Sequence, residues 1–273
     1  MGTYPRIPSD GSRVTRIRDR APDGDRATTA TTPHEVATIA ATCADLIDLD
    51  RVVADCRACP RLVAWREEVA TTKRASFADQ TYWGRPIPGF GPHDARIAVL
   101  GLAPAAHGGN RTGRIFTGDR SGDVLFAALY RAGLANQPTS VSVDDGLALH
   151  NTRIVASVRC APPDNRPTPV ERDTCAPFLR REFELIAPTL RVVVALGAFA
   201  WNSWWPTYAA VYRAGAPRPR PPFAHGAIWR PPSGHPALLG CYHVSQQNTF
   251  TGRLTDSMLD DVLAQAVALA DAD

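Results

Sequence analysis

The chain has 273 residues, 44% apolar and 21% charged, with a formal net charge of +3. That composition can bury one large core or two smaller ones and excludes a wholly disordered or fibrous chain. So mild a basic balance is compatible with a polyanionic partner without demanding one.

The opening stretch, MGTYPRIPSDGSRVTRIRDR, is polar and basic where a secretion signal would be apolar, and no run of about eighteen apolar residues follows anywhere. A cytoplasmic protein with no membrane partner is expected. Residues 1–35 are rich in Pro, Gly, Thr and charge and lack an apolar period, which predicts a disordered tail, with 36–273 as a single domain. Over 36–55 apolar residues recur at helical spacing (Ile39, Leu46, Ile47, Val52, Val53), and after the break at Pro60 a second helix is expected over 61–72.

Four short apolar runs come next, in ARIAVLGLAP, TRIVASVRCAPP, LRVVVALGAFAW and LLGCYHVS, each leading into a helix-like stretch. Unbroken β-branched runs alternating with helices predict an α/β fold, a three-layer α/β/α sandwich around a central, mostly parallel four-stranded sheet. Helices are expected near 122–132, 169–186, 198–214 and 254–270. Thr168 should cap the second of these, with Pro169 at its first position. Ligands in such sheets bind beyond the carboxyl ends of the strands, so chemistry belongs in the loops after Leu100, Arg159, Leu196 and His243.

Six cysteines in a reducing compartment are read first as metal or redox groups, not disulfides. Cys56 and Cys59 form a C-x-x-C pair, and Cys160 with Cys175 makes a second pair about a hundred residues on. Cys43 and Cys241 stand alone and are read as small buried apolar residues. Four thiolates suit zinc or an iron–sulfur cluster; the wide second pair is unlike a zinc ribbon or finger and favours a [4Fe–4S] cluster as a structural staple.

The loop GLAPAAHGGNRTGRIFTGD, residues 101–119, follows a predicted strand as a phosphate loop would. It has neither the Lys-Ser/Thr of a P-loop nor the G-x-G-x-x-G of a dinucleotide fold. Its glycines let backbone N–H groups approach a flat ligand, and Phe116 offers an aromatic plate, so a planar heterocycle suits it better than a phosphate. His93, His225 and His235 are read as structural. His243 differs, because it follows a short strand and precedes Ser245, Gln246, Gln247, Asn248 and Thr249. This polar cluster before a helix fits gripping a nucleic-acid backbone while the imidazole faces a pocket.

These residues resemble a known family. GLAPAAHGGNRTGRIFTGD is similar to the first motif of the family 5 (type b) uracil-DNA glycosylases, and YHVSQQNTFTGRLT resembles their His-Pro-Ser motif. VRCAPPDNRPTP and the spacing of Cys56, Cys59, Cys160 and Cys175 resemble the cluster-binding pattern of families 4 and 5. The resemblance spans roughly residues 50–270. It implies a DNA repair enzyme of the α/β/α uracil-glycosylase fold that flips uracil, and other deaminated or modified bases, out of double- or single-stranded DNA. The N-glycosidic bond is then hydrolysed to leave an abasic site, with a [4Fe–4S] cluster on those four cysteines.

Carried over by position, Phe116 stacks on the base, His243 faces its carbonyl, and Ser245 with Gln246, Gln247 and Asn248 holds the DNA backbone, joined by Arg111, Arg114 and Arg253. Gly101, Ala105, Ala106 and His107 line the base site. Two departures stand out: Val244 replaces the family's usual Pro, and Ala156 occupies a place where family 4 carries a base-reading Asn. Base recognition then falls to backbone groups or to Ser157, Asn151 or Asn165. Asp119, the one carboxylate of the first motif, either orients water or caps the helix after it. Without a strong general base the expected route is dissociative, with His243 and loop N–H groups stabilising charge on the leaving base. A monomer is expected. A glycosylase mainly for hypoxanthine or modified pyrimidines, and a non-catalytic reader of damaged DNA, stay open as alternatives.

Overall fold

A computed structural model describes residues 29–232 and 234–272. Most of the tail expected over 1–35 lies outside these residues, but its last stretch belongs to the fold. Ala30 is buried, and helix α1 (Pro33–Thr42) starts on a capping box in which Thr32 and Glu35 satisfy each other's backbone N–H groups.

The helix expected over 36–55 is two helices. Asp45 accepts from the N–H of Asp48 at 2.8 Å and so starts α2 (Leu46–Ala54) afresh after a turn at Cys43. Helix α3 (Pro60–Thr72) follows with Pro at its first position.

Strands β1 (Ile97–Gly101), β2 (Thr152–Ala156) and β3 (Val192–Leu196) pair in parallel and are buried along their whole length. Burial on both faces explains why their sequences are continuously apolar instead of alternating. The sheet has five strands, not four, in the order β2-β1-β3-β5-β4. The extra strand, β4 (Ile228–Trp229), lies antiparallel on the edge against β5 (Ala237–Cys241).

The connecting helices are α4 (Gly109–Thr112), α5 (Arg120–Arg131), α6 (Pro169–Ile186), α7 (Ala198–Val211), α8 (Gln246–Phe250) and α9 (Asp256–Asp271). Thr168 caps α6 in a second capping box, with Glu171 as its partner. Helices α5 and α9 cover one face of the sheet, where Leu125, Phe126, Leu129, Leu259 and Leu263 pack on Val99, Ile154, Val194 and Leu239. Helices α1, α2, α6 and α7 cover the other, with Phe183, Trp201 and Trp204 against Leu100, Val155, Val193 and Leu238. Each such large side chain contributes about 1.5–3 kcal/mol through burial.

Between α6 and the sheet lies one polar cluster. Glu182, fully buried, accepts from Arg153 Nε at 2.6 Å and from Arg159 Nη2, while Arg153 Nη2 also reaches Asp50 on α2 at 3.1 Å. Burial drives the Glu182 carboxyl upward in pKa, but the two guanidinium groups outweigh it and hold the acid below its usual value. Removing the carboxylate would leave Arg159 buried with no anionic partner and Arg153 with Asp50 alone. Glu182→Gln should therefore destabilise the protein by about 3–5 kcal/mol, read as a drop in the urea midpoint.

Candidate active site

Strand order turns around between β1 and β3, because β1 leads outward to β2 on one side while β3 leads to β5 on the other. Loops leaving the carboxyl ends of β1 and β3 therefore diverge and open a crevice, the place where open α/β sheets bind ligands. The two ends are glycines, Gly101 and Gly197, and an aromatic side chain rests over each.

The Phe116 ring lies so close over Gly101 that a Cβ there would stand 3.1 Å from two ring carbons. Its backbone is left-handed, at φ 52°, a conformation sparsely used by non-glycine residues. The Phe116 carbonyl is backed by Gly122, where no side chain would fit. The plate is thus aimed by its backbone.

His243 sits over Gly197, which has φ 88° and begins α7. The two rings face each other across the crevice, centroids 6.2 Å apart and tilted by 41°. The His243 ring makes no hydrogen bond to any described residue, and burial alone lowers its pKa from 6.5. At neutral pH it is an uncharged imidazole, able to donate one N–H to a ligand oxygen.

The turn after His243 is held firmly without the expected proline. Val244 is fully buried, Asn248 Nδ2 donates to the His243 carbonyl at 2.8 Å, and Ser245 caps α8 by accepting from the Asn248 N–H. Gln246, Gln247 and Arg253 are exposed beside it, the Arg253 guanidinium 4.7 Å over the Tyr242 ring. Phe250 is 72% exposed on the same turn.

The first-motif loop is braced from outside by a segment that sequence reading passed over. Trp83 N–H donates to Arg111 O, Gly84 N–H to Asn110 O, and the Trp83 ring lies over Gly113. Asn110 Nδ2 donates to Arg66 O on α3. The His107 ring shares a 3.0 Å hydrogen bond with the Tyr82 hydroxyl, and burial with Arg74 and Arg111 nearby lowers its pKa. Ala105 carries the turn, its carbonyl accepting from Gly108 and Asn110, and Ala106 is half-buried beside it.

Several expectations are corrected. Arg111 and Arg114, expected on DNA, are buried braces. Arg111 donates to His107 O, Gln80 Oε1 and Gly118 O, and Arg114 to Thr117, Ser140 and Asp145. Asn151, expected at the base, precedes β2 at the amino end of the sheet, opposite the crevice, where Oδ1 accepts from Arg96 N–H. Asn165 is an exposed turn residue with φ 55°. Ser157 does lie at the carboxyl end of β2, but its hydroxyl donates to Gly101 O at 3.0 Å and ties the two strand ends together.

Asp119 caps α5, its Oδ1 accepting from Gly122 N–H at 2.9 Å, and its Oδ2 is packed against Gly108. Burial raises its pKa above 3.8.

The four patterned cysteines line a single small cavity with Arg66, Arg159, Leu62 and Phe178. Burial pushes Cys59 up to about 12 and Cys160 up to about 11, each raised further by neighbouring thiols. Arg66 Nη1 donates to Cys160 Sγ at 3.0 Å, and the N–H of Arg159 to Cys175 Sγ at 3.4 Å. Arg66 Nε and Arg159 Nε and Nη1 are buried without a partner. Among the described residues no three His, Cys, Asp or Glu side chains converge as the ligands of one metal ion. Cys43 and Cys241 are buried away from this cavity, as expected.

With this geometry in view, the wider comparisons are decisive. The sequence profile of the uracil DNA glycosylase superfamily matches residues 88–266. The chain belongs to that superfamily. It is 57% identical over 226 residues to a type-5 uracil-DNA glycosylase of Mycobacterium bovis, covering 82% of each chain. Relatives with the same description occur in Thermus thermophilus (51% identical, 79% of this chain and 94% of the other) and Pyrobaculum aerophilum (45%, 78% and 88%). No helix among the described residues is long and apolar enough to cross a membrane.

Asp119 can be tested for more than its cap. Asp119→Ala should lose about 0.5–2 kcal/mol of stability, whereas Asp119→Asn, which still caps, should keep its melting temperature. A loss of base excision in the Asn variant at unchanged melting temperature would identify a second, chemical role for the carboxylate.

Proposed function

We propose that this protein excises uracil from DNA, cutting the N-glycosidic bond of a nucleotide flipped into the crevice between β1 and β3. The observation that carries this reading is the facing pair of Phe116 and His243 over two glycines. Phe116 offers a fixed aromatic plate for a flat base and His243 an uncharged imidazole beside it, with no side chain rising from the floor.

A base inside a duplex is out of reach, so the nucleotide leaves the stack at a cost of a few kcal/mol. Phe116 offsets part of that cost by stacking, which is worth about 1–3 kcal/mol per base. As the glycosidic bond lengthens, electron density collects on the uracil oxygens. A neutral His243 can donate its ring N–H to one of them, and it is already in place when the charge develops. The sugar acquires positive charge, and water completes the hydrolysis. Asp119, held against the loop backbone at Gly108, is the carboxylate nearest that loop in sequence and supports an orienting role for water alongside its cap.

The gripping residues are revised by the burial of Arg111 and Arg114. Gln246, Gln247 and Arg253 remain exposed on the His243 turn and would contact the DNA backbone. The protein acts as a monomer on this reading, since one chain supplies both walls of the crevice.

A [4Fe–4S] cluster fits the cysteine cavity better than one metal ion does. A cubane spreads its ligands around four irons, so its cysteines need not converge as those of a single ion must. Cys56, Cys59, Cys160 and Cys175 would hold it. Arg66 and Arg159 would turn their unpartnered N–H groups toward its anionic sulfurs, which answers buried donors otherwise left unsatisfied. The cluster would supply folding energy, joining α3 and the start of α6 to the end of β2.

His243→Ala should slow single-turnover uracil excision by about 10²–10³ while leaving duplex affinity nearly unchanged; a rate within a factor of about two of the parent would remove His243 from the chemistry. Freshly purified protein should be brown and contain about four iron atoms per chain, and a colourless protein holding zinc would overturn the cluster assignment.

A further inference from the structure

We infer that the proline- and arginine-rich segment between α7 and β4 is a second DNA-contact surface, in which Arg218 and Arg220 take phosphates of the duplex flanking the base pocket. The inference rests on the uracil-DNA reading and extends it from the flipped base to the strand on either side.

No Asp or Glu occurs anywhere between Glu184 and Asp256, although that stretch includes Arg213, Arg218, Arg220, Arg230 and Arg253. All five are exposed. None of the five takes part in an ion pair among the described residues; the acids at either end of the stretch are already engaged, Glu184 by Arg180 and Arg181 and Asp260 by Arg131. The five arginines therefore present uncompensated positive charge, while the two arginines of the first motif are spent inside the protein. A duplex needs cations somewhere near the crevice, because phosphate neutralisation supplies most of its non-specific affinity.

The path of the chain decides which arginines lie near it. Helix α7 leads away from the crevice, so Arg213 is at its far end. The segment then returns: Trp201 Nε1, in the first turn of α7, donates to Pro221 O at 3.0 Å, and the Phe223 ring is 6.0 Å from that of Trp201. His225 Nδ1 accepts from Tyr242 N–H at 3.2 Å and the two rings lie 5.0 Å apart. Tyr242 is the residue before His243, and Arg253 sits over its ring. From there β4 runs back along β5 and carries Arg230 toward the amino end of the sheet.

Arg218 and Arg220, directly before the anchored Pro221, are thus at the crevice end, whereas Arg213 and Arg230 are at the other. Pro217, Pro219, Pro221 and Pro222 restrict this part of the backbone, which lowers the entropy lost when the arginines engage a strand. Exposed guanidinium groups on a stiffened loop suit phosphate oxygens, which they meet in bidentate fashion.

The test compares two double variants of the full chain, Arg218→Gln with Arg220→Gln and Arg213→Gln with Arg230→Gln, by fluorescence anisotropy on an unmodified and a uracil-containing duplex over a salt series. Each lost phosphate contact should flatten the plot of log affinity against log salt by about 0.9, hence about 1.8 for the first pair. Its affinity should fall alike for both duplexes, and the second pair should keep the parent slope. An unchanged slope in the first pair, or equal flattening in both, overturns the inference while leaving the uracil reading intact. Failure of the parent protein to bind either duplex overturns both.

Discussion

Glu182 is the point on which the rest of the structure turns. One carboxylate, with no access to water, pairs with both Arg153 near the start of β2 and Arg159 just beyond its end. Through Arg153 it also engages Asp50 on α2, and Arg159 goes on to line the cysteine cavity. Strand, two helices and cavity wall are thereby fixed relative to one another by buried charges paired with one another. Apolar packing of the helices on the sheet would tolerate sliding; a buried ion cluster does not, because any displacement uncovers an unpaired charge in a medium of low dielectric.

The sandwich follows from the register of that assembly. With β2 held on one side of β1 and β3 on the other, the crevice between β1 and β3 has rigid walls, and Ser157 ties the ends of β1 and β2. The His243 turn and the cysteine cavity then lie at the same end of the sheet as the carboxyl termini of the strands that lead into them. A cluster in that cavity would brace the strand that borders the crevice without taking part in the reaction.

What could be read from the sequence followed physical scale. Four strands were legible because five consecutive buried residues leave an unbroken apolar run, and α6 was legible to the residue because its capping box and proline mark the first turn. The turn at Cys43 was not, since a three-residue gap barely disturbs a helical period. Nor was β4, whose two residues have no period at all. At the site, Phe116 and His243 were legible as residues that follow strands. Arg111 and Arg114 misled because charge is visible in a sequence while its partners, Gln80 and Asp145, are tens of residues away. Asn151 was a different kind of error: a residue before a parallel strand stands at the amino end, away from ligands, and strand direction alone excludes it. The bracing by Tyr82 and Trp83 carried only a weak signal, two aromatic residues in an otherwise irregular stretch.

The two glycines beneath the rings are not equivalent. At Gly101 the limit is room, since any Cβ would press on the Phe116 ring. At Gly197 the space is adequate and the limit is the left-handed turn by which β3 enters α7. An alanine at the first would tilt the plate and spare the backbone; an alanine at the second would spare the plate and misdirect a helix. Drift at these positions is therefore closed off for independent reasons, and a single compensating change elsewhere could relieve the first, by shrinking the ring, but not the second.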